Sequence, residues 1–176
     1  MKKMTKAARI YIKIRSLFIP DGPGGDRARG KLYEPYLKKF GKNFKVASQA
    51  FIFNPNQLSV GDHVYIGFNS YLGQGEIHLE DEVLIGNLVS ITASNHLIKG
   101  NSFRFGGFRA EPIIIGKGSW IGAQSSIMAG VELGGPCLVA SGSVVTRSFQ
   151  SGLAIGGVPA KQISTIQKFK EKYNVE

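Results

Sequence analysis

The chain has 176 residues, 43% of them hydrophobic, with 22 lysines and arginines against 12 acids and a formal charge of +10. That length suits one domain with a sizeable core. One cysteine excludes an internal disulfide framework or a cysteine-based zinc site and fits a reducing cytoplasm. The positive excess invites anionic partners, but no nucleic-acid motif accompanies it and nucleic acid is not expected.

From the N-terminus, MKKMTKAARIYIKIRSLFI reads as a helix, with Ile10, Ile14, Leu17 and Phe18 on one face and Lys6, Lys13 and Arg15 largely on others. No apolar run reaches about 18 residues, so no membrane span is expected. Lys13 and Arg15 interrupt any signal-peptide core. The helix either packs on the rest of the protein or a neighbour, or makes peripheral contact with an anionic membrane surface. PDGPGGDRARG (20–30) reads as a turn-rich connector, and 31–44 as a second short helix or an edge segment. Residues 1–45 thus form an N-terminal helical segment and connector.

A six-residue rhythm then dominates. Val60, Ile66, Leu72, Leu79, Ile85, Ile91, Ile115, Ile121, Ile127, Leu133, Val139 and Val145 lead successive hexads, usually followed by glycine. One residue is inserted between Leu72 and Leu79, and the register survives an interruption between Ile91 and Ile115. Such a period predicts an all-β parallel β-helix whose stacked turns bury a continuous core. Val46, Ile52 and Leu58 extend it upstream with degenerate hexads, giving a coil over 46–158 of triangular section, with 97–112 as a projecting loop. Ser119, Ser125, Cys137 and Ser143 share one hexad position and read as packed corner residues. The tail, 159–176, reads as a helix from Pro159 to Tyr173 that closes the open end of the coil.

The hexads, "SNH" before the long loop, "GSWIGAQSSIMAGVELGG", and the close "VASGSVVTRSF…IGGVPAKQI" together resemble the left-handed β-helix O-acetyltransferases. Within these the nearest likeness is to sugar, maltose and galactoside acetyltransferases and their relatives in bacterial polysaccharide synthesis, whose head the stretch 20–44 also resembles. The left hand of the coil comes from the resemblance, since the general crossover rule predicts the right. The resemblance implies a homotrimer with three sites at subunit interfaces, acetyl-CoA as cosubstrate, no metal, and a small-molecule or glycan acceptor.

It also implies site residues. His96 is the expected general base, since imidazole titrates near neutrality and a hydroxyl needs its proton removed before it attacks a thioester. Ala123 and Ser141 would offer backbone groups to the pantetheine arm, Thr146 and Arg147 would line the lower groove, and Lys161 would approach the nucleotide phosphates. Trp120 and Asn69 would border the acceptor. Leu97 and Ala93-Ser94 depart from the family pattern around His96. For Arg147 and Lys161 the competing reading is a solvated charge, for Trp120 a structural outer face, and for Asn69 a tight turn. In the loop, Phe103, Phe105 and Phe108 offer apolar walls or packing surface, and Arg104 and Arg109 offer phosphate contacts or solvated charge.

The expected activity is transfer of acetyl to a sugar or glycan hydroxyl in surface-polysaccharide biosynthesis, in the cytoplasm or at the inner face of the membrane. N-acetylation of an amino-sugar nucleotide and acetylation of a xenobiotic are the alternatives within acyl transfer. A zinc-dependent hydration site needs three convergent histidines, and His63, His78 and His96 lack the spacing expected for one. A non-catalytic scaffold would not need His96, the loop and GGVPAK together.

Overall fold

The computed structural model describes residues 2–173. Helix α1 (Lys6–Leu17) begins at Thr5, whose hydroxyl accepts from the Ala8 amide at 3.1 Å. Only Ile12 of this helix is fully buried. Ile10, Ile14, Leu17 and Phe18 point to solvent, with Phe18 80% exposed, so this face does not pack on the coil of its own chain.

The turn-rich connector is in fact helical. Helix α2 (Pro23–Tyr33) starts on Pro23 and is followed by a single 3₁₀ turn, Glu34–Tyr36. Its glycines permit close approach. A Cβ on Gly30 would lie 2.2 Å from the Phe44 carbonyl oxygen, and one on Gly25 1.8 Å from that of Pro20. The buried Arg29 guanidinium bonds Asp26 at 2.9 Å, Asp21 at 2.9 Å and the Ile19 carbonyl at 2.6 Å, tying the helix to the chain that leads into it. Tyr33, Leu37 and Phe44 join the coil's core, so this helical head seals its upper end.

The coil winds through five complete turns. The first holds β1 (Lys45–Val46), β2 (Phe51–Ile52) and β3 (Leu58–Val60), the second β4 (Tyr65–Ile66), β5 (Tyr71–Leu72) and β6 (Ile77–Leu79). The third holds β7 (Leu84–Ile85) and β8 (Ser90–Ile91), then a side hairpin of β9 (Ser94–His96) and β10 (Phe108–Ala110), then β11 (Ile113–Ile115). The fourth holds β12 (Trp120–Ile121), β13 (Ser126–Ile127) and β14 (Glu132–Leu133). The fifth holds β15 (Leu138–Val139) and β16 (Val144–Val145), and a bridge from Phe149 to Leu133 replaces its third strand. β17 (Leu153–Gly157) opens a sixth.

Parallel pairing stacks these strands into three faces. The first is β1-β4-β7-β12-β15-β17, the second β2-β5-β8-β13-β16, and the third β3-β6-β11-β14. In-register partners such as Ile66, Ile85, Ile121 and Val139 form one buried column. Each such side chain contributes about 1.5–3 kcal/mol of burial. Every leading hexad residue is buried, and the architecture is the left-handed parallel β-helix expected.

The corner between the first and second faces, here the first corner, places one residue per turn at positive φ: Gln49, Asn69, Leu88, Gln124 and Gly142. Buried serines cross-link the turns there. Ser70 Oγ accepts from the Val89 amide at 3.1 Å, and Ser125 Oγ from that of Ser143 at 3.3 Å. Cys137 is buried as expected, its thiol donating to the Gln150 carbonyl at 3.1 Å.

The tail departs from expectation. Residues 160–165 are not helical, because β18 (Ala160–Thr165) folds back antiparallel on β17 around a turn in which Gly157 has φ +100°. Sheet pairing to the exposed edge of β17 satisfies more backbone than a lone helical turn would. Helix α3 spans only Ile166–Tyr173, so the hairpin, not the helix, closes the lower edge of the first face. Among the described residues no helix is long and apolar enough to cross a membrane.

Candidate active site

The predicted site residues sort onto two vertical strips of the coil. The first corner carries Asn69 on the second turn, Ala123 on the fourth and Ser141 on the fifth. Lys161 pairs with Gly156, and a Cβ on Gly156 would lie 2.9 Å from the Ala140 Cβ, so Lys161 extends this strip downward. Trp120 borders it on the first face, between Leu84 above and Leu138 below, and is partly exposed.

A ladder runs down the first corner. The Leu88 amide donates to the Phe68 carbonyl, that of Gln124 to Asn87, and that of Gly142 to Ala123, at 2.8–2.9 Å. Among the described residues the N–H groups of Ala123 and Ser141 have no partner in this ladder. Two unpaired donors on successive turns sit about 4.8 Å apart, the strand spacing. Such a row suits the amides of an extended polar chain. Asn69, at φ +52°, takes the left-handed turn that its residue type tolerates, so it serves the turn whatever else it does.

The second corner, between the second and third faces, carries His96 and, two turns below, Thr146 and Arg147, all exposed. His96 ends β9 opposite Phe108. It makes no side-chain hydrogen bond among the described residues, which leaves both ring nitrogens open to a reactant. The hairpin is anchored at its base where the Glu111 amide donates to the Ala93 carbonyl at 3.0 Å, and the Arg109–Glu111 ion pair at 2.9 Å lies beside it. The Leu97 amide donates to the Gly107 carbonyl at 3.1 Å, so the β9–β10 ladder continues into loop 97–112 and makes a two-stranded arm from Ser94 to Ala110. Phe103, Phe105 and Phe108 stand exposed on it, Phe105 by 75%.

One chain therefore gathers each strip but does not join the two. A face of the coil, on the order of 15 Å wide, separates His96 from Ala123 and Ser141. The other histidines lie elsewhere. His63 occupies the turn between the third face and the first at φ +59°, 3.2 Å from the Asn43 amide nitrogen, and His78 sits on the third face with Nε2 2.9 Å from Glu76. A cleft of about 690 Å³ lies between α1 and the first turn and is lined by none of the predicted site residues. The exposed imidazole and the free amides lie on the two strips, not in this cleft.

The sequence reading missed Leu88. It holds φ +60° and is exposed on the first corner, between Asn69 and Gln124. The signal was present, since Gln49, Asn69, Leu88, Gln124 and Gly142 all stand three residues after an inward aliphatic, and leucine alone resists that conformation.

Comparison with known proteins agrees with the hexapeptide coil. The family described as the hexapeptide repeat of succinyl-transferase matches residues 57–93 and 112–147. Galactoside O-acetyltransferase of Escherichia coli is 27% identical over 73% of this chain, which spans 66% of that protein. dTDP-4-amino-4,6-dideoxy-D-glucose acyltransferase of Escherichia coli is 25% identical over 78% of this chain and 87% of its own length. A hexapeptide-repeat acetyltransferase of Vibrio cholerae, solved in complex with acetyl coenzyme A, superposes with a TM-score of 0.79 at 23% identity, over 91% of this chain and 86% of its own. At that identity the superposition speaks for the fold.

Proposed function

We propose that this chain, which belongs to the hexapeptide-repeat acetyltransferases, transfers acetyl from acetyl-CoA to a hydroxyl of a saccharide acceptor. The observation that carries this reading is the division of its chemistry between two strips. An exposed, unengaged imidazole tops one, and free backbone donors with a cation below them run down the other.

In this reading the imidazole of His96 takes the proton of the acceptor hydroxyl as its oxygen attacks the thioester carbonyl carbon. The carbon–sulfur bond then breaks, and the proton passes to the departing thiolate. Ester and free coenzyme A result, with no covalent enzyme intermediate. Ala123 and Ser141 position the pantetheine arm, while Thr146, Arg147 and Lys161 hold the phosphate end. Asn69 and Trp120 border the acceptor. Any oxyanion contact falls to backbone N–H, because Ala123 has no hydroxyl to offer.

Since the strips lie on different corners, the reading requires a homotrimer in which the second corner of one subunit faces the first corner of the next. The exposed aromatic arm supports such an association. Surface-polysaccharide synthesis in the cytoplasm is the setting we assign, from the likeness of the head to polysaccharide-cluster enzymes. Amino-sugar N-acetylation is the second reading, favoured by the near full-length match to the amino-sugar acyltransferase.

The test is calorimetric titration of acetyl-CoA into the protein and into His96→Ala, followed by coenzyme A release over a panel of saccharides and amino-sugar nucleotides. Both proteins are expected to bind, with turnover of the variant lower by about 10²–10⁴. Product lability in mild alkali identifies an ester, and resistance identifies an amide. Absence of binding by both proteins sinks the acetyl-transfer reading.

A further inference from the structure

The outward face of α1 has no partner in the chain. At about 100° per residue, Leu17, Ile10, Ile14, Phe18 and Tyr11 form a continuous apolar arc about 120° wide. All five are more than half exposed. This arc points away from Ile12, the residue that fastens the helix to the core. Lys6 and Lys13 border one edge of it and Arg15 the other. Residues 2–20 contain six cations and no acid. Only Arg9 among these is engaged, over the Phe53 ring at 5.4 Å, and the other five are exposed without an ion pair among the described residues.

We infer that α1 lies in the interface of an anionic lipid surface, with its apolar arc among the acyl chains and its lysines and arginines among the headgroups. An apolar stripe edged by cations and devoid of acids is the pattern that such an interface selects. A second copy of the chain fits the arc less well. Helix-to-helix packing would bring Lys6, Lys13 and Arg15 of one copy against the same cations of the other. This docking is independent of the transfer reaction, because no residue of either strip takes part.

Sedimentation with sucrose-loaded vesicles tests it. The full-length protein is expected to pellet with phosphatidylcholine vesicles containing about 30% phosphatidylglycerol at near-physiological salt, and to stay in solution with phosphatidylcholine alone. The double substitution Leu17→Glu with Phe18→Glu, and separately Lys6→Glu with Lys13→Glu, should each lower the partition coefficient at least about tenfold. Circular dichroism and light scattering are expected to remain those of the parent. Failure of the parent to bind anionic vesicles, or equal binding by the variants, overturns the inference. So does a change of molecular mass in the Leu17→Glu, Phe18→Glu protein, which would assign the arc to a second copy.

Discussion

Arg147 lies over the ring of Phe149, with its guanidinium carbon 4.7 Å from the ring centroid. A stacked guanidinium keeps its N–H edge free while its plane is fixed, which suits a phosphate. Arg147→Ala should therefore weaken acetyl-CoA binding about tenfold, the worth of one charge-assisted hydrogen bond. The loss should shrink when coenzyme A lacking its 3′-phosphate is titrated. Equal losses for the two ligands would remove Arg147 from the phosphate site.

Mixing experiments address the two corners. His96→Ala removes the base, and Ser141→Trp fills the first-corner strip with an indole. Each variant alone should be inactive. Co-refolded in equal amounts, they should regain about a quarter of parental activity, because one interface in four would pair two intact strips. No recovery at any ratio would place the complete site on a single chain.

Leu88 offers a stability test coupled to function. Its left-handed backbone costs roughly 1–2 kcal/mol, and asparagine tolerates that region far better. Leu88→Asn should raise Tm by about 2–6 °C in a domain of this size. If the leucine borders the acceptor, KM for the acceptor should rise while acetyl-CoA affinity holds.

Burial pushes the Cys137 thiol up, so it should resist Ellman's reagent at pH 8 in the native protein and react fully in guanidinium. The unfolded thiol ionises first, so this group's contribution to stability is full below about pH 8.5 and declines above it. Cys137→Ala should flatten that decline in pH-dependent melts.

Glu76 behaves oppositely. Its hydrogen bond to the Lys38 ammonium, with His78 alongside, holds its carboxyl below the usual range. The stabilisation is present above about pH 4.3, the unfolded value, and is lost as pH falls through the folded one. As the pair is half exposed, Glu76→Gln should cost at most about 1 kcal/mol at pH 7, with the gap to parent closing in acid melts.

The coil was legible because each leading aliphatic residue reports one buried position, and a period of six has no other structural use. Ile85, Ile121 and Val139 were placed correctly by counting alone. The head was not, because Gly25 and Gly30 suggested turns although they stand where a helix meets backbone. The tail misled in a related way. Ile163 and Ile166 keep helical spacing, but the edge of β17 captured Ala160–Thr165. On α1 the periodicity was right but left its partner open, since an apolar stripe does not say which of two surfaces it faces, and in this chain it does not face the coil. His96 and the first-corner residues were proposed from likeness, whereas the gap between their strips needed the winding of the chain.

The hairpin leaves and rejoins the coil where Glu111 and Ala93 already bond to each other. Ile91 and Ile115 keep the same cadence as every other turn, as if the intervening segment did not exist. The coil and the arm are thus written in separable passages of the sequence. The arm can be lengthened, shortened or recoded over 97–107 without disturbing the rows that hold the coil upright, so under the proposed function a change of acceptor calls for grafting rather than rebuilding.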